Sequence, residues 1–201
     1  MHLTPPKSDH MRVPGRILSG SQRMTFFLSV IAALAPSVRA TTLEQLTLDE
    51  MAQKSTAIVR AKVTGSRSGT RSGNIYTYFR LQVLENWKGQ AITEVAVPGG
   101  EADGIRQSVS GAPELKPGQE YVLFLWTSRS GLTQIIGLSQ GLYTLSGESS
   151  GEAVAQRPAS SELMLNRSGL PVEDRAVNMP LHDLRTRVRQ ALATAKLGAA
   201  K

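Results

Sequence analysis

Cysteine is absent from the chain, histidine occurs three times, and aromatic residues make up only 5% of it. The missing cysteine excludes thiol catalysis, thiolate metal sites and redox sensing. It also means that any exported form must be held together by burial alone, without disulfide help. His2 and His10 lie at the very start of the chain, so His182 is the one histidine left for the body of the protein. A histidine-based metal cluster cannot be built from one imidazole.

The first forty residues read as a leader. Arg12, Arg16 and Arg23 precede the apolar run Thr25-Phe-Phe-Leu-Ser-Val-Ile-Ala-Ala-Leu-Ala35, Pro36 breaks it, and Val38-Arg39-Ala40 supplies a small-residue cleavage site. That order predicts a secretory signal over residues 1–40, with Met11 or Met24 as alternative starts. The run is shorter than the roughly 20 residues a membrane-crossing helix needs. With no cysteine there, lipid attachment at the cleavage site is excluded. Of 23 basic and 16 acidic residues, five basic and one acidic fall in the leader, leaving 18 and 15 in 161 residues. The strongly basic whole-chain balance is therefore mostly a leader property, and it gives no argument for nucleic acid. The expected location is outside the cytoplasm, periplasmic or extracellular.

Beyond the leader, period-two patterns dominate. Thr47-Leu-Asp-Glu50 is a capping box, and Leu43, Leu46 and Met51 suggest a short amphipathic helix ending near Lys54. In Ala57-Ile-Val-Arg-Ala-Lys-Val63, Ala57, Val59, Ala61 and Val63 share one face, which predicts a strand to about Thr64. Residues 65–74 read as a flexible connection. Ile75, Phe79, Leu81, Val83 and Trp87 then line one face of a second strand, with Tyr76, Tyr78, Arg80 and Gln82 on the other. Ile92 to Val97 makes a third strand, stopped by Pro98-Gly99-Gly100. A long loop runs to Gln119. Tyr121-Val-Leu-Phe-Leu-Trp126 is apolar throughout and predicts a strand buried on both sides. Two short strands, Leu132–Leu138 and Gly141–Leu145, complete a closed or nearly closed barrel over residues 41–147. Residues 148–179 read as an irregular linker. Leu181, Leu184, Val188, Leu192 and Ala195 mark an amphipathic helix over 180–196, with Arg185, Arg187 and Arg189 off the stripe as a solvated face.

The helix, then Ala57–Val63, then Tyr78-x-x-Leu81-x-Val83-x-x-x-Trp87-Lys-Gly89, then Gly118-Gln-Glu-Tyr-Val-Leu123, together resemble the netrin-like module. That is the OB-type barrel of tissue inhibitors of metalloproteinases. The chain is similar also to uncharacterised exported bacterial proteins of this barrel type. The resemblance covers about residues 43–145. It implies a mainly β fold, a five-stranded OB-type barrel flanked by the two helices, and a role facing a secreted zinc metalloprotease. Inhibitors of that family chelate the protease zinc with the amine of a disulfide-pinned N-terminal cysteine. Cleavage after Ala40 places Thr41 and Thr42 there, with an amine but no bridge, so affinity by that route should be weak.

Catalytic readings find little support. His182 and Asp183 are neighbours on one helix and make no triad seed. Glu94, Glu101, Asp103 and Glu114 lie in or beside the long loop without a motif. The glycine-rich stretch from Gly99 to Gly104 lacks the phosphate-loop lysine and hydroxyl. Tyr76, Tyr78 and Arg80 could stack bases, but export and modest charge argue against it. The expectation is a non-enzymatic binding module without cofactor or metal, its partner surface formed by Thr41, Thr42, Gly99, Gly100, Asp103 and Gly104. The alternative is an envelope assembly component docking through the C-terminal helix.

Overall fold

A computed structural model describes residues 42–147 and 152–199. Thr41 and the leader lie outside the described residues. The fold is mainly β, with thirteen strands and two helices among the described residues. In order, β1 (Thr42–Glu44) and α1 (Leu48–Lys54) precede the long hairpin of β2 (Ala57–Arg71) and β3 (Asn74–Lys88). Then come β4 (Glu94–Pro98), β5 (Gly100–Ala102), β6 (Ile105–Gln107), β7 (Glu120–Thr127), β8 (Thr133–Ile135) and β9 (Leu142–Ser146). The chain finishes with β10 (Val154–Arg157), β11 (Leu163–Leu165), β12 (Pro171–Val172), β13 (Val177–Pro180) and α2 (Leu181–Ala199).

The main sheet runs β13-β10-β9-β7-β2-β3-β4, with β8 added to β7. The path is open: among the described residues no ladder joins β4 to β8 or to β13, so the expected closed barrel is corrected to an open sheet. The physical reason lies in the two strands that would meet. β8 is three residues long, and β4 ends in Pro98, which has no N–H to give to a ladder. β1, β11 and β12 form a separate three-stranded sheet, and β5–β6 a third.

Strand alternation fills two cores from one layer. Ala57, Val59, Ala61 and Val63 of β2 point with Tyr121, Leu123 and Leu125 of β7 into a cluster completed by Phe79, Leu81, Val95, Val97, Leu115 and Ile135. The intervening residues Ile58, Val122 and Phe124 point the other way, onto Tyr143, Leu145, Ala155 and the helices. β2 over Ala57–Val59 and β7 over Tyr121–Leu125 are therefore buried on both faces, as the unbroken apolar run of β7 predicts as far as Leu125. Trp126, on the face of Val122 and Phe124 but outside the cluster they pack into, departs from that expectation and is 45% exposed.

Residues 65–74 are not a flexible connection. Both strands of the β2–β3 hairpin run fifteen residues and turn tightly at Ser72–Gly73, where φ is +50° and +79°. Two consecutive positive φ values mark the hairpin turn whose twist matches that of the strands. Nor is 148–179 an irregular linker where it is described. β10 enters the main sheet between β9 and β13, and its Ala155 is fully buried. Arg157 closes this region with a nearly buried ion pair to Asp174, Nη2 to Oδ1 at 2.9 Å.

Two helices form as expected, the first shorter than its apolar stripe suggests, and α1 opens on the capping box. Thr47 N donates to Glu50 Oε2 at 2.8 Å, and Glu50 N donates to Thr47 Oγ1 at 3.2 Å. Leu43 and Leu46 lie before this helix, with Leu43 in β1. α2 buries Leu181, Leu184, Val188 and Ala191 against the second core. Arg187 and Arg189 are exposed as expected. Arg185 is not: it pairs with Glu85 of β3 and lies over the Trp87 ring, 5.5 Å from its centre.

Candidate functional site

The long loop after β4 contains a hairpin. β5 and β6 pair in register Gly100↔Gln107, Glu101↔Arg106 and Ala102↔Ile105, making a projecting hairpin. Its turn is Asp103–Gly104, with φ of +52° and +73°. Asp-Gly is a strong short-range signal for this turn, and it was available in the sequence. The flanking strands, three residues each, are too short to show alternation.

The root of this hairpin is fixed against β3. Gly99 N donates to Ile75 O at 2.8 Å, Thr77 Oγ1 donates to Gly99 O at 2.9 Å, and Ile75 N donates to Gln107 Oε1 at 2.9 Å. Glycine is required at the hinge. Gly100 has φ of +132°, and a Cβ there would stand 2.5 Å from Thr77 Oγ1 and 2.9 Å from Ser68 Oγ. At the far end, Thr70 Oγ1 approaches Asp103 Oδ2 at 3.4 Å. A groove of about 380 Å³ opens between the hairpin root and residues 108–116, floored by Phe79, Val97 and Leu115. The hairpin holds Ile105 out to solvent at 64% exposure, beside the exposed Arg106.

Of the expected surface residues, Gly99, Gly100, Asp103 and Gly104 thus come together in one element. Thr42 does not join them. It lies in β1, paired in parallel with Leu163 of β11. The two segments are linked through Glu162, whose Oε1 accepts from Ser110 Oγ at 3.0 Å. β1 is held tightly although the chain has no disulfides. Gln140, only 2% exposed, accepts from Leu46 N and donates to Glu44 O, both at 2.9 Å. A buried amide satisfied on both sides fixes the backbone between them.

His182 is exposed and its two ring nitrogens face carboxylates: Nδ1 meets Glu152, and Nε2 lies 3.1 Å from Asp183 Oδ1. Asp183 is therefore within reach after all, because the first helical turn lets the ring fold back toward it. The Glu152 contact raises the imidazole pKa. No hydroxyl hydrogen-bonds to this ring among the described residues. Among the described residues, no three acidic or histidine side chains are grouped to hold a metal ion.

Trp87-Lys88-Gly89 also gains a physical explanation. Lys88 Nζ donates to Ala52 O, Gln53 O and Ser55 O at 2.8, 2.8 and 2.6 Å. It caps the C-terminal end of α1, where carbonyls lack helical partners and the dipole is negative. Burial lowers the Lys88 pKa, while the three carbonyl dipoles favour the ammonium. Gly89 follows at φ +68°, where a Cβ would stand 2.1 Å from Thr56 O. Trp87 Nε1 donates to Glu85 Oε2 at 3.0 Å, and Glu85 also accepts from Arg60 and Arg185. Burial would raise the Glu85 pKa, but the indole and the two guanidinium groups outweigh it and the pKa is lowered.

No family model matches this chain, and no curated protein matches it. The functional reading therefore rests on the geometry above and on the sequence. No described helix is long and apolar enough to cross a membrane.

Proposed function

We propose that this chain is an exported, non-enzymatic binding module of OB-type architecture, acting as a partner or inhibitor of a secreted zinc metalloprotease. The observation that carries the reading is the β5–β6 hairpin: a short, rigidly rooted arm that exposes Ile105. Loops and arms held on a stiff sheet are where recognition is placed, and an exposed large apolar side chain on such an arm suits a protein partner.

Two further features support it. Strands β4-β3-β2-β7-β8 are consecutive neighbours and share one apolar interior, in which Ile135 of β8 meets the cluster of Val95 and Val97. An OB-type barrel would have its seam there, between β4 and β8. The β1–β11 pairing and the Gln140 clamp also restrain the chain next to Thr42, which lowers the ordering cost of presenting an N-terminal amine. The alternative, envelope docking through α2, has less support because Leu184 and Val188 are already spent on the chain's own core.

The test uses the processed protein and exported zinc proteases from the same host. Residual proteolysis should fall as the protein is added, and Ile105→Asp should weaken the effect. Adding one residue ahead of Thr41 should remove any part due to amine chelation. Undiminished proteolysis, together with no complex on size exclusion, rejects the reading. A mature N-terminus sequenced far from Thr41 removes the chelation component alone.

A further inference from the structure

The outer face of the main sheet carries a second feature, on a different wall from the β5–β6 arm. Register pairing sets Arg67, Tyr78 and Ala96 in one row across β2, β3 and β4, and Trp126 opposite Gln134 across β7 and β8. Ala96 lines two adjoining clefts at the gap between β4 and β8, of about 230 and 280 Å³. Trp126, Gln134, Pro98 and Leu138 wall the first; Tyr78, Glu94, Thr133 and Arg71 wall the second. A small side chain thus floors a trough with an aromatic ring on each side.

Three observations set this trough apart from an ordinary sheet surface. Trp126 is 45% exposed, although it directly follows the fully buried run Tyr121–Leu125 of β7. Leu138 in the wall has φ of +62°, a conformation costly for a side chain of its bulk, and such strain clusters at binding sites. Arginine crowds the Tyr78 side. The Arg67 guanidinium lies 4.3 Å from the ring centre, Tyr76 stands beside it with ring centres 6.3 Å apart, and the Arg80 guanidinium lies beside Gly65. Arg71 arches from the hairpin tip to Ser130 O and bounds the trough. Glu94 is the acidic group in the cleft lining, and it is committed to Arg67.

We propose that this trough binds an acidic saccharide. The apolar C–H face of a sugar ring lies on the exposed indole of Trp126, as flat amphipathic rings pack on aromatic side chains. Gln134 and Thr133 meet ring hydroxyls. A ring carboxylate takes a charge-assisted bond from Arg71, exchanging one neutral carbonyl for an ionised acceptor, which is the stronger pairing. The net positive charge of Arg67, Arg71 and Arg80 against Glu94 selects acidic over neutral sugars. This inference does not rest on a protease partner.

Calorimetric titration with trigalacturonate tests it, beside the neutral trisaccharide of galactose and a triglutamate peptide. Trigalacturonate should bind at least tenfold more tightly than either control, and added salt should weaken it. Trp126→Ala and Arg71→Gln should each lower the affinity at least tenfold, while Lys62→Gln on the same sheet's outer surface leaves it unchanged. Circular dichroism checks that Trp126→Ala is folded; if it is not, Arg71→Gln decides, since Arg71 lies at an exposed hairpin tip. Absence of binding overturns the proposal, as does parent-like affinity in the deciding variant. Equal affinity for triglutamate also overturns it and assigns the trough to acidic peptides.

Discussion

Replacing Lys88 by Met keeps the aliphatic stem and removes the ammonium that closes α1. Three carbonyls then lose their donor: Ala52 O, Gln53 O and Ser55 O. A hydrogen bond from a charged donor contributes roughly 1.5–3 kcal/mol net. The three are not additive, and water can reach Gln53 O, so the full multiple does not apply. Losing the helix-end charge adds about 0.5 kcal/mol. The expected cost is about 2–3 kcal/mol, equivalent to a fall of roughly 4–12 °C in Tm for a chain of this size. Urea unfolding followed by far-ultraviolet circular dichroism and by tryptophan fluorescence reads it, with coincident transitions as the two-state check. Lys62→Met, on an exposed site, should stay within about 0.5 kcal/mol. If Lys88→Met is equally neutral, the cap reading is wrong and the Trp-Lys-Gly sequence needs another explanation. Gly89→Ala is the companion variant, expected to cost about 2–4 kcal/mol from the left-handed backbone and the clash with Thr56 O.

Three further outcomes are expected. Glu50 is held at a pKa of about 2 by the Thr47 backbone N–H, the Thr47 hydroxyl and Arg167, against 4.5 when free. Its folded pKa is depressed, so its stabilisation is complete above 4.5 and is lost as pH falls toward 2; Glu50→Gln should flatten that part of the acid-unfolding curve and cost about 1 kcal/mol at neutral pH. Leu184→Ala, at a fully buried site under α2, should lower urea stability by about 2–5 kcal/mol; a loss below 1 kcal/mol would show that the helix is not packed on the sheet. Ile105→Asp should leave the urea midpoint within about 0.5 kcal/mol of the parent, and a larger change would mean the hairpin face is covered rather than free.

Elements with enough repeats of their pattern were legible in the sequence. The four alternating residues Ala57, Val59, Ala61 and Val63 share a core, and the capping box at Thr47 forms as written. The stripe of α2 was legible for the same reason. Most short elements were not, because three residues show no period: β5, β6 and β11 each depend on a turn or a neighbouring strand, whereas β8 falls inside the expected Leu132–Leu138 strand but is shorter. The arm beyond Val63 was hidden by composition. Its Ser, Gly and Arg residues have poor strand propensity, and it is paired because the Ser72–Gly73 turn forces the two chains together. Sheet closure was beyond reach, since it depends on whether one three-residue strand meets another across a gap. For the candidate surface, Asp103–Gly104 held a usable hairpin signal, whereas the separation of Thr42 from it is set by β11, more than a hundred residues away in sequence.

The double burial of β2 and β7 explains how one small domain can hold two recognition features apart. Both faces are packed over Ala57–Val59 of β2 and Tyr121–Leu125 of β7, so this part of the central layer can neither slide nor twist without disturbing two cores at once. The features that reach solvent are all attached to the margins of that layer: the β5–β6 arm through Gly99 and Gly100, the trough through the gap beside Ala96, and the N-terminal strand through Gln140. A change at one margin is then expected to leave the others unaltered, because coupling would need a second arrangement of the central layer. Ile105→Asp and Trp126→Ala should therefore be additive in stability and independent in binding. A measured coupling above about 0.5 kcal/mol between them would place a movable element between the arm and the trough. β4, which pairs with β3 through Ala96 and ends at the arm's root, is the segment where such a movement would have to occur.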